Sequence, residues 1–557
     1  MEIKEQIRIM LDKALSDFRA AGTVPADVEV KFNVEIPRNR QHGDYCTNMP
    51  FLLAKVFKKA PVQVAQICID QFDRSLAPAV GKIEAAPNGY LNFILSMDTV
   101  IDTLKAILDQ GEKYGTSTFG KGQKVQIEFV SANPTGPLNV VSARAASVGD
   151  SLASILKTAG YEVAREFYVN DYGVQARLFG ETLKARYLQV LGQDCPIPEN
   201  GYQGEYVVTL AQQALESGWF PKDPKEALDY PVEEYSKLGL EKMLESQKSD
   251  LDSFGVQFDC WFRESWLHRD GKPAAMLAHL KNRGLTYEKE GATWLKTTEY
   301  GDSEDRVLIK SDGNPTYFLN DIAYHHDKFE RGFQSVIDLW GPDHHGHVIR
   351  MKAALKAVGH EEPFDVLIVQ QVNLLRNGER VKMSKRAGKI ETMKDLVQEI
   401  GVDAARFFFL MRGTDSHLDF DLEVAKYQTN DNPVFYVQYA HARVCSIFAQ
   451  AQSKGFDLPT WDQVDLNLLS APEEAEIIKV MASYPQIIGE AAQACEPHRL
   501  VRYLMDLATR LHGYYNCFRI ISEDKELSRA RLVFMRSVQQ VLANGLTLMG
   551  VSRPDKM

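Results

Sequence analysis

Lys382 and Lys385 are the residues whose type and spacing best suit the handling of polyphosphate. They bracket Met383 and Ser384 on a loop ended by Gly388, where ammonium groups can move onto a phosphate chain and neutralise charge that develops in a transition state. Lysine-rich exposed loops are common, so the pair gains weight from a second segment about 240 residues earlier. There Val125, Ile127 and Phe129 alternate with polar residues, the period of a half-buried strand. Asn133, Pro134, Thr135, Gly136 and Pro137 then fix a turn through their backbone preferences, and alanine-rich sequence at helical spacing runs on to Gly160. In a parallel sheet, such a strand, turn and helix put a ligand at the carboxyl end of the strand, facing helix amide groups. A third group, Asp343-His-His-Gly-His347, offers three imidazoles and a carboxylate. Adjacent residues rarely converge on one ion and the two-histidine helical spacing is missing. No protein-bound metal is therefore expected, and the group is assigned to the nucleotide side of a site.

These groups need a scaffold. Beyond the first strand, strand and helix alternate: Ala164 to Val169, Asp171 to Leu191, Ser335 to Trp340, Val348 to Val358, Val366 to Val369. That alternation predicts an α/β, doubly wound, Rossmann-like parallel sheet over residues 113–417. Between about 192 and 300 it fades into sequence rich in Pro, Gly and acids, read as an insertion. Residues 1–112 predict a compact α/β unit: an amphipathic helix, a strand around Val28 to Ile36, helices over Asn48 to Phe57 and from Val62, and strands near Ile83 and Tyr90 to Leu95. Inside it, Arg38 to Tyr45 is a polar turn whose pattern alone favours a structural loop. From 418 to 557 apolar residues recur at three and four, as in Leu500, Tyr503, Leu504, Leu507 and Leu511, which predicts an all-α bundle. Residues 499–557 hold ten Lys plus Arg against five acids, an excess that suits phosphate, although a solvated helix face is the commoner source of mixed charge.

The whole chain, 557 residues with a formal net charge of -11, has no global attraction for nucleic acid, so such a partner requires local basic patches. Seven scattered cysteines without a Cys-x-x-Cys pair argue against a disulfide framework and a thiolate zinc site. The first residues lack the apolar centre of a signal peptide, and no apolar run approaches the roughly 20 residues that span a bilayer. A reducing cytoplasm is the expected location.

The chain is similar to the class I aminoacyl-tRNA synthetases, and within that class it resembles arginyl-tRNA synthetase. Lys382-Met-Ser-Lys-Arg386 matches the class lysine loop, with Arg386 where many members carry serine. Glu128-Phe-Val-Ser-Ala-Asn-Pro-Thr-Gly-Pro-Leu138 matches the arginyl lead-in to the nucleotide signature, and Pro315 to Tyr324 resembles the arginine-pocket helix. Trp340 to Gly346, Val369 to Val372, His42 to Tyr45 and Val541 to Gly545 extend the match over nearly the whole chain. The resemblance implies an arginine–tRNA ligase of protein synthesis, using ATP with Mg²⁺, L-arginine and tRNA(Arg), commonly as a monomer. It implies catalytic roles for Lys382, Ser384 and Lys385, and ATP contacts from Asn139, Val141, Ser142, Gly341, Asp343, His344, His345 and Met383. Arginine contacts would come from Glu128, Ser131, Asn133, Tyr317, Asp321 and Gln370. Asp321 and Tyr317, four apart, share a helix face, and a guanidinium needs carboxylates shaped for its fork. On the RNA side the resemblance implies His42 and Tyr45 at the tRNA elbow, and Arg502, Tyr514, Tyr515, Asn516 and Met557 in the anticodon-binding bundle. Tyr514, Tyr515 and Asn516 equally suit the core packing of a bundle helix.

One segment departs from the pattern. The class signature of histidine, an apolar residue, glycine and histidine stands here as Asn139, Val140, Val141 and Ser142. Loss of one transition-state donor typically costs about 2.7–4 kcal/mol. Two expectations follow, an active ligase or a relative that keeps tRNA and arginine binding with impaired ATP activation. A nucleotidyltransferase of the same fold acting on a small acid is disfavoured by the long helical carboxyl-terminal region.

Overall fold

The computed structural model describes residues 3–37, 42–381 and 392–557. The amino-terminal part comprises α1 (Ile3–Ala20), β1 (Val34–Glu35), β2 (Tyr45–Thr47), α2 (Met49–Phe57), α3 (Pro61–Gln71), β3 (Val80–Ala85) and β4 (Leu91–Leu95). Its strands form an antiparallel sheet in the order β1-β2-β4-β3. α1 buries Ile7, Met10, Leu11, Ala14, Leu15 and Phe18, the stripe that helical spacing requires. The predicted strand around Val28 to Ile36 shrinks to two residues, and β2 forms where the polar turn ends.

After α4 (Met97–Gln110) the chain builds β5 (Lys124–Glu128), α5 (Val140–Thr158), β6 (Glu162–Val169), α6 (Val174–Val190), α7 (Glu205–Ser217), α8 (Pro224–Asp229), α9 (Val232–Ser253) and β7 (Cys260–Arg263). Next come α10 (Glu264–Arg269), α11 (Lys272–Asn282), a small antiparallel sheet of β8 (Thr286–Lys289), β9 (Ala292–Leu295) and β10 (Arg306–Ile309), then α12 (Tyr317–Glu330). β11 (Ser335–Trp340), α13 (His345–Val358) and β12 (Phe364–Ile368) complete the unit. Five parallel strands lie in the order β12-β11-β5-β6-β7, so the winding reverses between β5 and β11. A crevice at the carboxyl ends of those two strands is where an open α/β sheet receives its ligand.

The stretch read as an insertion is divided. α6, α7 and α9 share an apolar cluster of their own around Phe179, Leu183, Val207 and Tyr235. Cys260–Arg263 then returns to the parallel sheet as its edge strand, and four residues are too few for alternation to reveal. α5 lies directly on the sheet because of Gly149: a Cβ there would stand 2.2 Å from the Phe129 ring.

Beyond β12 stand β13 (Val372–Arg376), β14 (Glu379–Arg380), α14 (Met393–Ile400), α15 (Val402–Phe409), β15 (Leu418–Asp421) and α16 (Leu422–Lys426). β15 pairs in parallel with β13, so strand structure continues past 418. The bundle follows as α17 (Pro433–Ser453), α18 (Pro472–Ala482), α19 (Tyr484–Ala494), α20 (His498–Cys517) and α21 (Lys525–Leu548). One apolar core runs from α5 through α15 into the bundle. The fully buried Arg406 joins these parts, donating to Asp150 of α5 at 2.5 Å, to the Met549 carbonyl at 2.8 Å and to the Phe254 carbonyl at 3.2 Å. The amino-terminal unit sits on the bundle through Asp44–Lys479 at 3.2 Å and Lys4–Glu490 at 3.5 Å. Among the described residues no helix is long and apolar enough to cross a membrane.

Candidate active site

The floor of the crevice is a row of three acids. Strand register sets Asp338 of β11 opposite Glu128 of β5, and Glu128 opposite Glu166 of β6, so three carboxylates stand side by side on one face. All three are buried, and α12 neutralises them from above with residues spaced along one helical face. Lys328 donates to Glu128 at 2.6 Å and to Asp338 at 2.8 Å. Tyr324 donates to Glu128 at 2.8 Å and to Glu166 at 2.7 Å, and Arg331 grips Glu166 with both terminal nitrogens at 2.6 and 2.9 Å. His325 faces Asp338 at 2.8 Å. Burial pushes the Asp338 and Glu166 carboxyls up, but Lys328 and His325 around the first and Arg331 at the second outweigh it, so both lie below the ordinary range. Burial likewise opposes the Lys328 charge, and the surrounding carboxylates more than offset it. Sequence periodicity gave no sign of this row, which exists only once three separate strands are in register.

The turn after β5 is locked over Glu128. Val130 and Ser131 hold φ of 69° and 39°, a left-handed conformation that a β-branched residue adopts only when its surroundings impose it. The Ser131 hydroxyl donates to Glu128 at 2.8 Å and accepts from the Tyr168 amide at 3.1 Å. Asn133 is exposed, its side chain donating to Gln175 at 2.8 Å and its carbonyl accepting from Gln247 at 3.0 Å.

At the start of α12, Tyr317 is 65% exposed and Asp321 faces the cleft. A second carboxylate, which sequence reading missed, accompanies Asp321. Glu264 opens α10 directly after β7, is buried, and accepts from Asn320 at 3.3 Å. Burial first, and then the charge of Asp321, push its carboxyl up to about 7. Two carboxylates on facing helices match the donor fork of a guanidinium. The usable signal was an acid immediately after the short run Cys260-Trp-Phe-Arg263, hidden within the apparent insertion.

Gln370 follows β12, and its carbonyl accepts from Arg144 at 2.7 Å. Arg144 is completely buried on α5 and also donates to the Gly413 carbonyl at 2.9 Å and the Ser416 carbonyl at 3.0 Å. Burial, only partly opposed by Asp415, lowers its guanidinium to about 10.

At the head of α5, Asn139 is the cap: its side-chain oxygen accepts from the Ser142 amide at 2.9 Å and the Ser142 hydroxyl at 3.2 Å. Two of the departing residues therefore satisfy each other, and Val141 is half-buried beside them. Gly341 ends β11 with open space where a Cβ would stand, while Asp343, His344 and His345 are exposed at the head of α13. His347, the last residue of that group, points to α12, with Nε2 at 3.1 Å from an Asp321 oxygen. Lys382, Met383, Ser384 and Lys385 lie outside the described residues, as do Arg38 to Gln41 of the polar turn.

Of the residues expected to face RNA, His42, Arg502, Asn516 and Met557 are exposed. Tyr515 is exposed as well, with the Arg443 guanidinium 4.6 Å from its ring. Tyr45 and Tyr514 correct the expectation, because both are buried and have no free face for a base. Tyr45 bonds Gln486 at 3.2 Å across to the bundle, and Tyr514 stacks on Phe518 and donates to Glu474 at 2.5 Å. Far from the crevice, His441, Cys445 and Asp555 bring their donor atoms within 4.8 Å of one another. Local hydrogen bonds account for that group: His441 Nδ1 faces the Pro554 carbonyl at 3.1 Å and the Cys445 thiol donates to Asp555 at 3.4 Å.

Three family profiles match the chain in succession: the arginyl tRNA synthetase N terminal domain over residues 1–95, the tRNA synthetases class I (R) catalytic domain over 103–410, and the DALR anticodon binding domain over 437–557. An arginine–tRNA ligase of Oceanobacillus iheyensis is 46% identical over 529 residues, 94% of each chain. One from Moorella thermoacetica is 44% identical over 560 residues, covering 100% of this chain and 99% of its own. Among solved structures, Thermus thermophilus arginyl-tRNA synthetase shares the fold with a TM-score of 0.73 at 23% identity, over 98% of this chain and 99% of that one. With every region matched in order and relatives aligned end to end, the chain belongs to the arginyl-tRNA synthetase family of class I.

Proposed function

We propose that the chain is an arginine–tRNA ligase that activates arginine with ATP and transfers it to tRNA(Arg). The observation that carries this reading is the Asp321–Glu264 pair beside the crevice of a chain that aligns with 99% of an arginine–tRNA ligase. Asp321 and Glu264 take the guanidinium, with Tyr317 alongside, while Glu128, Ser131, Asn133 and Gln370 surround the α-amino and carboxylate end. ATP lies between the heads of α5 and α13, over the bare backbone of Gly341 and within reach of Asp343, His344 and His345. An arginine carboxylate oxygen attacks the α-phosphate and pyrophosphate leaves, with Lys382 and Lys385 stabilising the charge on the phosphate oxygens. A hydroxyl of the terminal tRNA ribose then attacks the arginyl carbonyl and AMP departs. Mg²⁺ accompanies ATP and screens its phosphates. Residues 1–112 serve the tRNA elbow and residues 418–557 the anticodon, in a monomeric, cytoplasmic enzyme.

A second reading has one specific support. Asn139 and Ser142 spend their side chains on the helix cap, and Val141 places a branched side chain where the class has glycine. These residues do not fit the phosphate- and base-binding roles of the class signature, which favours a member that binds arginine and tRNA and activates poorly. Arginine-dependent ATP–pyrophosphate exchange with tRNA present separates the two. Exchange at the rate of a class I synthetase that carries the histidine signature establishes the first reading; a rate lower by several powers of ten, with arginine and tRNA still bound, establishes the second.

A further inference from the structure

We infer that His347 is a positioning residue for arginine, acting through Asp321. The inference rests on the reading of Asp321 as a guanidinium carboxylate. His347 stands in the first turn of α13, and its Nε2 lies 3.1 Å from Asp321 Oδ2 on α12. Its ring is walled by Trp340, with centroids 5.4 Å apart, and by the edge of Phe318 at 5.8 Å. The imidazole is 19% exposed whereas Asp321 is 39% exposed, so the donor is fixed in packed side chains and the acceptor opens to the cleft.

That asymmetry gives the contact its consequence. An aspartate at a cleft edge samples several rotamers, and each one frozen on binding subtracts from affinity. With Nε2 protonated, His347 donates to Oδ2 and sets the carboxylate plane before substrate arrives. Oδ1 and the outer lone pair of Oδ2 then remain for the guanidinium, with Glu264 completing the fork. The Asp321 side chain points away from its own helix, across to α13. The contact also joins the two halves of the crevice, since α13 carries the nucleotide-facing His344 and His345 at its head. The residue nevertheless acts on the amino acid and not on ATP.

The test is steady-state ATP–pyrophosphate exchange by the full chain with tRNA present, varying arginine and ATP separately. His347→Phe keeps a ring between Trp340 and Phe318 and removes the donor; His347→Gln keeps a donor. The expected result is a rise of about tenfold in the arginine KM of H347F, the scale of one hydrogen bond to a charged group. The ATP KM and kcat should stay within about twofold on the same reasoning, and H347Q should recover most of the loss. An unchanged arginine KM in H347F, or a parallel rise in both KM values, overturns the inference. Asp321→Asn keeps the two failures apart. If D321N leaves the arginine KM unaltered, the reading of Asp321 fails; if D321N raises it strongly while H347F does not, the reading stands and His347 is only packing.

Discussion

Replacing Lys328 by methionine removes the ammonium that sits between Glu128 and Asp338. It is fully buried, 2.6 Å from the first carboxylate and 2.8 Å from the second. At an effective dielectric of about 20, each contact is worth about 6 kcal/mol of Coulomb attraction. The desolvation of a buried ion offsets several kcal/mol of that, and breaking such a pair leaves a net loss of about 3–5 kcal/mol. Methionine fills the volume, so a cavity adds little. The loss should depend on pH with a definite sign. In the parent, the Asp338 carboxyl lies below its unfolded value, a contribution present above the unfolded carboxylate range and lost as pH falls through the folded value. In K328M Asp338 is buried without its ammonium, the main cause that held its carboxyl down is gone, its folded value rises, and the variant gains relative stability on acidification. The gap between the two proteins should therefore be widest near neutrality and narrow towards about pH 4.5, where unpaired carboxyls take up protons. Urea unfolding followed by tryptophan fluorescence, with hydrogen exchange of the β11 amides as a local probe, measures it. A loss below about 1 kcal/mol at neutral pH, or one that does not change with pH, would refute the view of the acid row as a charge-compensated floor.

Two further outcomes are expected. Because burial and Asp321 lift the Glu264 carboxyl to about 7, and a guanidinium prefers the carboxylate, kcat/KM for arginine should climb as pH rises towards 7 and level off above it. E264Q should lose affinity and flatten that limb; a limb unchanged in E264Q would assign it to another group. Restoring the signature with Asn139→His, Val141→Gly and Ser142→His together should raise the exchange rate by about 10²-fold or more. The same triple change removes the α5 cap and puts glycine in its first turn, so it should lower thermal stability by about 1–2 kcal/mol. Faster exchange without that loss, or the loss without faster exchange, would show that the cap and the chemistry are not in competition there.

What the sequence disclosed follows from how local each feature is. Val125, Ile127 and Phe129 announce β5 by alternation, and the alanines after Asn139 announce α5 by spacing, because both periods are set within a few residues. Ser335–Trp340 was legible for the same reason. β7 and β15 were not, since four-residue strands carry too little pattern and are made by their neighbours. Glu264 and Lys328 escaped because their roles arise from partners far off in sequence, Asn320 and Asp321 for the first, Glu128 and Asp338 for the second. Tyr514 shows the converse: its pattern suited a base stack or a core equally, and the Glu474 carboxylate and the Phe518 ring decided for the core.

The central claim, that the crevice beside Asp321 and Glu264 prepares arginine for transfer to RNA, is tested most directly by charging. Purified full-length chain, ATP, Mg²⁺ and a tRNA(Arg) transcript are incubated with labelled arginine, lysine or citrulline, and acid-precipitable label is followed over time. The account predicts ATP-dependent charging with arginine alone, because lysine and the neutral citrulline leave the paired carboxylates without their fork. Charging with either of the others at a comparable rate, or no arginine charging even after the 139–142 signature is restored, would contradict it.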